Sequence, residues 1–179
     1  LVLSERGSAA GAPLAVPPNL LGRARAATRC RAQRKCSVVI NHVEESIFRL
    51  RQRRRASGDA PLIVFPGGLQ WHQGLDIAIN AFAVLAKRMP EARFHIYGDG
   101  NVRPQLVAQV DELGLTDRVR FYPPVSLDEV AQIMADADLG VVPKRADSFG
   151  NEAYSTKIME FMAVGVPVIV SSTLVDRHY

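Results

Sequence analysis

Cysteine is scarce in this chain, and its scarcity argues against two classes of small protein. The only two cysteines among the 179 residues are Cys30 and Cys36. Both lie in an arginine-rich segment without a cluster of further metal-ligand residues. This pattern favours free thiols in a reducing cytoplasm over a disulfide framework or a zinc site.

Long apolar runs and several catalytic signatures are also missing. No apolar run approaches the roughly 18 residues that cross a bilayer, and the N-terminus has no continuous apolar stretch of the kind found in secretory signals. The sequence contains no HExxH, no paired CxxC, no P-loop and no recognisable Ser-His-Asp set, which argues against a hydrolase, a zinc enzyme or a P-loop NTPase. We therefore expect a cytoplasmic protein, and peripheral contact with the inner face of the membrane stays open.

Positive charge is concentrated in the N-terminal third. Residues 1–60 contain twelve of the 22 Lys and Arg and four of the 18 Asp and Glu, a net charge of +8, whereas residues 61–179 contain ten and fourteen, a net of −4. Residues 1–36 are rich in Ala, Gly, Pro and Arg, which predicts an irregular segment. The run from Arg49 to Arg55 could contact nucleic acid or anionic lipid. Because no aromatic residues alternate with its charges, we interpret it as a solvated linker and expect no nucleic acid partner.

Residues 37–179 show the alternation of strands and helices that predicts a single α/β domain. The chain is 47% hydrophobic, which is sufficient for a core of ordinary size. The pattern predicts a Rossmann-like parallel sheet with helices on both faces and ligands at the carboxyl ends of the strands. The expected strands cover 37–41, 62–65, 94–97, 119–121, 139–142 and 166–170, and the expected helices cover 75–89, 104–113, a segment starting at Ser126, and 156–164.

The most informative segment is 151–170, which places two glutamates eight residues apart around a helix start. Residues 156–164 lack Gly and Pro, and Gly165 and an apolar β-branched run follow them, so the pattern predicts a helix, its C-cap and a strand. Glu160 then lies about one turn inside the helix, and Glu152 lies on the preceding loop. The amides of the first turn suit an anion such as a diphosphate. The alternative is a surface helix on which Glu160 pairs with Lys157 at i,i+3 spacing.

This segment resembles the Glu-x7-Glu signature of family-four retaining glycosyltransferases, which have the GT-B fold. The positions in register are Glu152, Tyr154, Glu160, Met162, Ala163, Gly165, Pro167, Val168 and Ile169. The resemblance implies that Glu152 is the catalytic-site residue that meets the donor sugar and that Glu160 meets the ribose of a nucleotide sugar. Ser155 stands where the family usually has Gly. Residues 39–48 also resemble the family's opening of its C-terminal domain.

The loop over 66–74 resembles the family's Gly-Arg-Leu-x3-Lys-Gly loop, whose two cations neutralise the donor diphosphate. Here Gly68 stands at the Arg position and Gln73 at the Lys position, although Gly67 and Gly68 still permit close backbone approach. Lys144, Arg145 or Lys157 are candidates to replace the missing charge. Val125 lies where the family contacts the nucleobase. The predicted donor-binding residues are Gly67, Gly68, Gln73, Val125, Lys144, Tyr154, Ser155, Thr156, Lys157 and Glu160.

The resemblance implies the donor-binding domain of an enzyme that transfers a sugar from a nucleotide diphosphate with retention and needs no metal or other cofactor. The sugar or lipid-linked acceptor would bind an N-terminal domain absent from this chain, so we expect no transfer by these 179 residues alone. The family's domain continues through another strand and closing helices, so we expect a fold truncated at the C-terminus. One alternative is a non-catalytic nucleotide-binding module or decayed remnant, which the two missing cations favour. A dehydrogenase is disfavoured, because the Gly98-x-Gly100 loop lacks the third glycine and the acidic partner of a dinucleotide fingerprint.

Overall fold

The computed structural model describes residues 2–4, 36–38 and 42–178, which fall into two compact units. The first unit contains β1 (Val2–Ser4) and β2 (Cys36–Val38), which pair antiparallel. Most of the predicted irregular segment, and residues 39–41 of the predicted strand, lie outside the described residues. The predicted boundary at residue 36 therefore stays a prediction.

The second unit, residues 43–177, contains a five-stranded parallel sheet in the order β5-β4-β3-β6-β7. This confirms the predicted Rossmann-like α/β fold. The strands are β3 (Leu62–Pro66), β4 (Arg93–Tyr97), β5 (Val119–Tyr122), β6 (Leu139–Val142) and β7 (Val168–Val170). The helices are α1 (Leu75–Arg88), α2 (Arg103–Glu112), α3 (Leu127–Asp136) and α4 (Thr156–Ala163). Short 3-10 helices cover Trp71–Gln73 and Asp176–His178. Within the described part of the chain, every helix falls short of the length and apolarity that crossing a membrane requires.

The helix boundaries follow from local chemistry. Gly74 adopts a left-handed conformation, with φ 66°, directly before α1, and Asp76 in the first turn complements the helix dipole. Before α3, the Ser126 side chain accepts a hydrogen bond from the backbone N–H of Glu129 at 3.4 Å, as the capping pattern predicts. These caps fix where the two helices leave the sheet.

Two hydrophobic cores form because alternate residues of each strand face opposite sides of the sheet. Phe65, Phe94 and Ile96 pack against α1 and α2 on one face, whereas Val64 packs with α3, α4 and Phe48 on the other. A fully buried phenylalanine of α4, Phe161, lies directly over Gly140 of β6. A Cβ at Gly140 would lie 2.6 Å from the Phe161 ring, so α4 reaches the sheet only over a glycine.

The arginine run is part of the folded domain, which corrects its interpretation as a solvated linker. Arg53 and Arg55 both bind the carboxylate of Asp138, at 2.6 and 3.0 Å, and Arg54 binds Asp136 at 2.8 Å. The acidic partners lie at the end of α3 and just before β6. The arginines thus neutralise carboxylates more than 80 residues further along the chain.

Asp138 connects the arginine run to the sheet, since its carboxylate also accepts a hydrogen bond from the backbone N–H of Leu62 in β3 at 2.7 Å. Burial alone raises the pKa of Asp138, but the hydrogen bonds from Leu62, Arg55 and Arg53 outweigh it and hold the pKa below its usual value. A carboxylate with a lowered pKa stabilises the fold above its unfolded-state pKa, and that contribution is lost as the pH falls through the folded-state value.

We predict that Asp138→Asn lowers the free energy of unfolding at neutral pH by about 1 kcal/mol, a modest value because about a third of the side chain is exposed. The difference from the parent protein shrinks as the pH falls below the usual aspartate pKa of about 3.9. Urea denaturation across this pH range measures both effects. Asp111→Asn, on the exposed side of α2, is the control, and equal stability of the two variants at neutral pH would contradict the prediction.

Candidate functional site

A cavity of about 410 Å³ opens at the carboxyl ends of β3, β4 and β5. The sheet order creates it, because β3 is flanked by β4 on one side and by β6 on the other, so the connections leave in opposite directions and a crevice remains between them. The start of α4 borders this crevice. Its lining consists of Phe48, Pro66, Gly67, Gly68, Tyr97, Gly98, Asp99, Pro124, Val125, Leu127, Val130, Thr156, Lys157 and Glu160.

Backbone hydrogen bonds hold the loops of this cavity against one another. The N–H of Gly67 donates to the Tyr97 carbonyl at 2.8 Å, and the N–H of Gly98 donates to the Tyr122 carbonyl at 3.0 Å. One step further out, the N–H of Leu69 donates to the Asp99 carbonyl at 2.9 Å. The loops that follow β3, β4 and β5 therefore form a continuous rigid rim.

Lys157 lies directly over the glycine turn that follows β3. A Cβ on Gly67 would collide with the Lys157 side chain and would lie 2.9 Å from its Nζ atom. Nζ is also 5.4 Å from the centroid of the Phe65 ring. Gly67 has φ 150°, which residues with a side chain rarely adopt, so the backbone conformation favours glycine here and the approach of Lys157 adds to that preference. A cation from α4 thus occupies the loop whose own two cations are missing.

Lys157 and Glu160 face the same cavity and perturb one another. Burial lowers the pKa of Lys157, and the Glu160 carboxylate partly opposes this effect. Burial likewise raises the pKa of Glu160, while a hydrogen bond from the Thr156 side chain and the charge of Lys157 lower it. The structure thus brings Lys157 and Glu160 together at a strand-end cavity, where two partly desolvated groups of opposite charge form a candidate ligand site.

The predicted site residues divide into two sets. Gly67, Gly68, Val125, Thr156, Lys157 and Glu160 line the cavity together. Glu152, Tyr154 and Ser155 lie on the loop that leads into α4, outside the cavity lining, and Glu152 is exposed. Ser155 is the N-cap residue of α4, but its side chain makes no capping hydrogen bond.

Three residues that the sequence suggested for donor binding or for replacing the missing loop cations lie outside the cavity lining and contact other groups. They are Gln73, Arg145 and Lys144. The side chain of Gln73 lies 3.1 Å from the Nε2 atom of His72. The guanidinium of Arg145 stacks on the Trp71 ring at 3.7 Å and forms an ion pair with Asp76. The structure places Lys144 away from this cavity as well, with its Nζ atom 3.0 Å from the carboxylate of Asp176.

Sequence reasoning missed Tyr97 as a site residue. Its ring stacks on that of Tyr122, with centroids 4.5 Å apart and an angle of 12° between the rings, and Tyr97 lines the cavity. His95, on the same face of β4, packs edge-on against Tyr122, and burial, reinforced by Arg120, lowers its pKa to about 4. The sequence does contain a signal for Tyr97. Side chains alternate between the two faces of β4, so Phe94 and Ile96 on one face imply that His95 and Tyr97 lie on the other.

A larger cavity of about 610 Å³ lies on the opposite face, between α1 and the strands β6 and β7. Aliphatic and aromatic side chains such as Ile77, Phe82 and Ile169 dominate its lining. The strand-end glycines and the α4 residues converge only on the smaller cavity. We therefore take the smaller cavity as the candidate site. Within the described residues, no three His, Cys, Asp or Glu side chains are grouped to hold a metal ion.

The fold is that of a Rossmann-like α/β domain with a cavity at the carboxyl ends of its strands, and the comparisons identify the family. The sequence profile described as glycosyl transferases group 1 matches residues 46–178. The chain therefore belongs to the group 1 glycosyltransferases, and its structural neighbours are GT-B enzymes.

Individual relatives agree with this assignment. The chain is 33% identical over 153 residues to a D-inositol 3-phosphate glycosyltransferase from Thermobispora bispora, which covers 77% of this chain and 35% of the relative. Among solved structures, it is similar to sucrose-phosphate synthase from Thermosynechococcus elongatus, with a TM-score of 0.67, 21% identity and coverage of 86% of this chain and 39% of that one. It is also similar to a pneumococcal O-GlcNAc transferase solved with UDP and GlcNAc, with a TM-score of 0.59, 21% identity and coverage of 71% and 23%. The chain thus spans about a third of the length of its curated relatives, and it matches their C-terminal parts.

The contact between Gly67 and Lys157 generates a testable coupling. We predict that Gly67→Ala costs about 1 kcal/mol of stability more than Gly58→Ala, which also replaces a glycine with positive φ but in open space; the excess is modest because the end of the Lys157 side chain is flexible. Most of the excess disappears in a Lys157→Ala background, because the collision partner is gone. Urea unfolding of the single and double variants measures the coupling. Purely additive effects would contradict the predicted coupling between the two positions.

Proposed function

We propose that this chain is the donor-binding domain of a retaining group 1 glycosyltransferase and that the 410 Å³ cavity holds a nucleotide diphosphate sugar. The observation that carries the proposal is the position of Lys157, with its ammonium group beside Gly67 at the start of α4. One cation, one glycine turn and one helix N-terminus thereby meet at a single point. That combination suits a diphosphate.

Each part of the donor has a complementary part of the cavity under this proposal. The diphosphate lies between the Gly67-Gly68 turn and the first turn of α4, and Glu160 accepts the ribose hydroxyls. The nucleobase lies against the apolar end of the cavity formed by Pro124 and Val125. Tyr97 extends this apolar end through its stacking on Tyr122.

Glu152 is proposed to meet the transferred sugar from the loop in front of α4. For retention, the acceptor oxygen would bond to the anomeric carbon on the face from which the nucleoside diphosphate departs, as the bond from that carbon to the diphosphate breaks. The acceptor's proton would pass to the departing diphosphate, and Lys157 would stabilise the charge that develops on that group. Holding the acceptor at about 3–3.5 Å from that carbon requires a second surface. We propose that this surface belongs to a part of the enzyme outside these 179 residues, so the chain by itself binds donor without efficient transfer.

A second candidate function is a nucleotide-binding module without catalysis. It is favoured by Gly68 and Gln73, which replace both loop cations, and by the contact of Gln73 with His72 rather than with the cavity. Titration calorimetry with UDP, GDP, ADP and NAD tests binding. Sugar transfer by a chain of the relatives' full length then distinguishes an enzyme from a module. Binding of NAD without any nucleoside diphosphate would overturn both candidates.

We predict that Glu160→Ala weakens binding of the preferred nucleoside diphosphate 10- to 100-fold, because one charge-assisted hydrogen bond contributes about 1.5–3 kcal/mol. With a single cation we expect the parent affinity to be weak, on the order of 0.1–1 mM. Glu152→Ala leaves nucleoside diphosphate binding unchanged and reduces only the additional affinity for the nucleotide sugar. Calorimetry or amide chemical shifts measure both, with the exposed Glu91→Ala as control. Unchanged binding in Glu160→Ala would return that residue to the role of a surface glutamate.

We also predict proton uptake when a nucleoside diphosphate binds at alkaline pH, below the usual lysine pKa of about 10.4. Burial lowers the pKa of Lys157 in the free protein, and a bound diphosphate raises it again, so the complex holds more protons. Calorimetric titrations in buffers of different ionisation enthalpy count these protons. Lys157→Met abolishes the uptake, whereas Lys87→Met on the exposed side of α1 retains it. Uptake that survives in Lys157→Met would show that a different group faces the diphosphate.

A further inference from the structure

Lys144 is among the most buried charged residues of the described chain, and it does not line the 410 Å³ candidate site. Its side chain is 4% exposed and that of its partner Asp176 is 1% exposed. The Oδ2 atom of Asp176 also accepts a hydrogen bond from the Thr173 hydroxyl at 2.6 Å, and Thr173 is fully buried. A buried ion pair costs desolvation energy and is weak evidence for a contribution to stability, so its purpose must be sought in its geometry.

The remaining hydrogen bond of Lys144 supplies that geometry. Its Nζ atom donates to the carbonyl of Ala153 at 2.6 Å, and Ala153 directly follows Glu152. Lys144 itself follows β6, and Asp176 lies beyond β7. The ammonium group therefore joins the ends of two strands to the backbone of the Glu152 loop.

Other contacts make the loop a rigid unit that Lys144 can position as a whole. The backbone N–H groups of Glu152 and Ala153 both donate to the Phe149 carbonyl, at 3.0 and 2.9 Å. The Asn151 side chain accepts the N–H of Leu174 at 3.0 Å, a second link to the segment after β7. Because these bonds hold the loop backbone together, fixing the Ala153 carbonyl also restricts the position of the Glu152 backbone, from which its side chain extends.

We propose that Lys144 is a positioning residue that holds Glu152 toward the transferred sugar through the Ala153 carbonyl, with Asp176 and Thr173 orienting the ammonium group. This inference rests on the proposed function, since it assigns Glu152 to the sugar. It separates the roles of two lysines in neighbouring segments. Lys157 contacts the ligand, whereas Lys144 acts on the protein.

The test uses the ratio of two dissociation constants, that of the nucleoside diphosphate divided by that of its nucleotide sugar. The probe is whichever pair binds best among UDP with UDP-glucose, GDP with GDP-mannose and ADP with ADP-glucose. The principal variant is Lys144→Met combined with Asp176→Leu, because it removes both charges and leaves no buried charge unpaired. Glu152→Ala is the positive control, and Lys87→Met is the matched control for loss of a surface lysine.

We expect the double variant to bind the nucleoside diphosphate within about twofold of the parent protein and to lower the ratio by about threefold to tenfold, the worth of one hydrogen bond. A merely structural role would weaken both ligands together and leave the ratio unchanged. Amide hydrogen exchange provides a second readout. It should accelerate at Glu152 and Ala153 and stay unchanged in α1.

The outcomes separate this inference from the proposed function. A ratio that responds to Glu152→Ala and not to the double variant overturns the positioning role alone. If Glu152→Ala leaves the ratio unchanged, or if the parent protein binds no nucleoside diphosphate, the proposed function is overturned and the inference with it. If the double variant does not fold, the same ratio is measured on Thr173→Val, which removes only the hydroxyl that orients Asp176. An unchanged ratio there also contradicts the proposal.

Discussion

The central position of β3 in a parallel sheet is the constraint on which the candidate site depends. Because β4 and β6 flank β3, the chain must first move outward through α1 and α2 and then return across the sheet to build β6 and β7. The glycine turn after β3 and the start of α4 are thereby brought to the same edge, although Gly67 and Thr156 are 89 positions apart in the sequence. Gly140 completes this arrangement, since the Phe161 ring could not approach the sheet over a larger residue.

Much of this arrangement could be predicted from the sequence, because local signals determine it. The i, i+3, i+4 apolar spacing predicts a helix over 75–89, and the structure has α1 at Leu75–Arg88. The Gly165 stop and the β-branched run after it likewise predict α4 and β7. The convergence of Gly67 with Lys157 and Glu160 follows from a general rule, that ligands bind at the carboxyl ends of parallel strands.

The rest depends on contacts between residues that are distant in sequence. No residue near Arg53 or Arg55 in the sequence indicates that both guanidinium groups will bind the Asp138 carboxylate. Without that partner, the arginine run has the composition of a linker. Lys144 and Lys157 pose the same problem, since each is a lysine in a polar stretch close to the glutamate segment. Their surroundings differ, because Lys144 forms an ion pair with Asp176 whereas Lys157 lies over the glycine turn. No local pattern carries that information.

The charge of the cavity explains why such a site must rely on backbone dipoles. Among the described residues that line it, Lys157 supplies one positive charge, and Asp99 and Glu160 supply two negative charges, a net of −1 before any ligand enters. A diphosphate adds roughly two further negative charges, so side-chain charges alone would repel it. Under the proposed function, the first-turn amides of α4 and the glycine turn would oppose this repulsion. These donors carry no formal charge that must be desolvated, which is why backbone groups rather than further side chains would balance the diphosphate in this cavity.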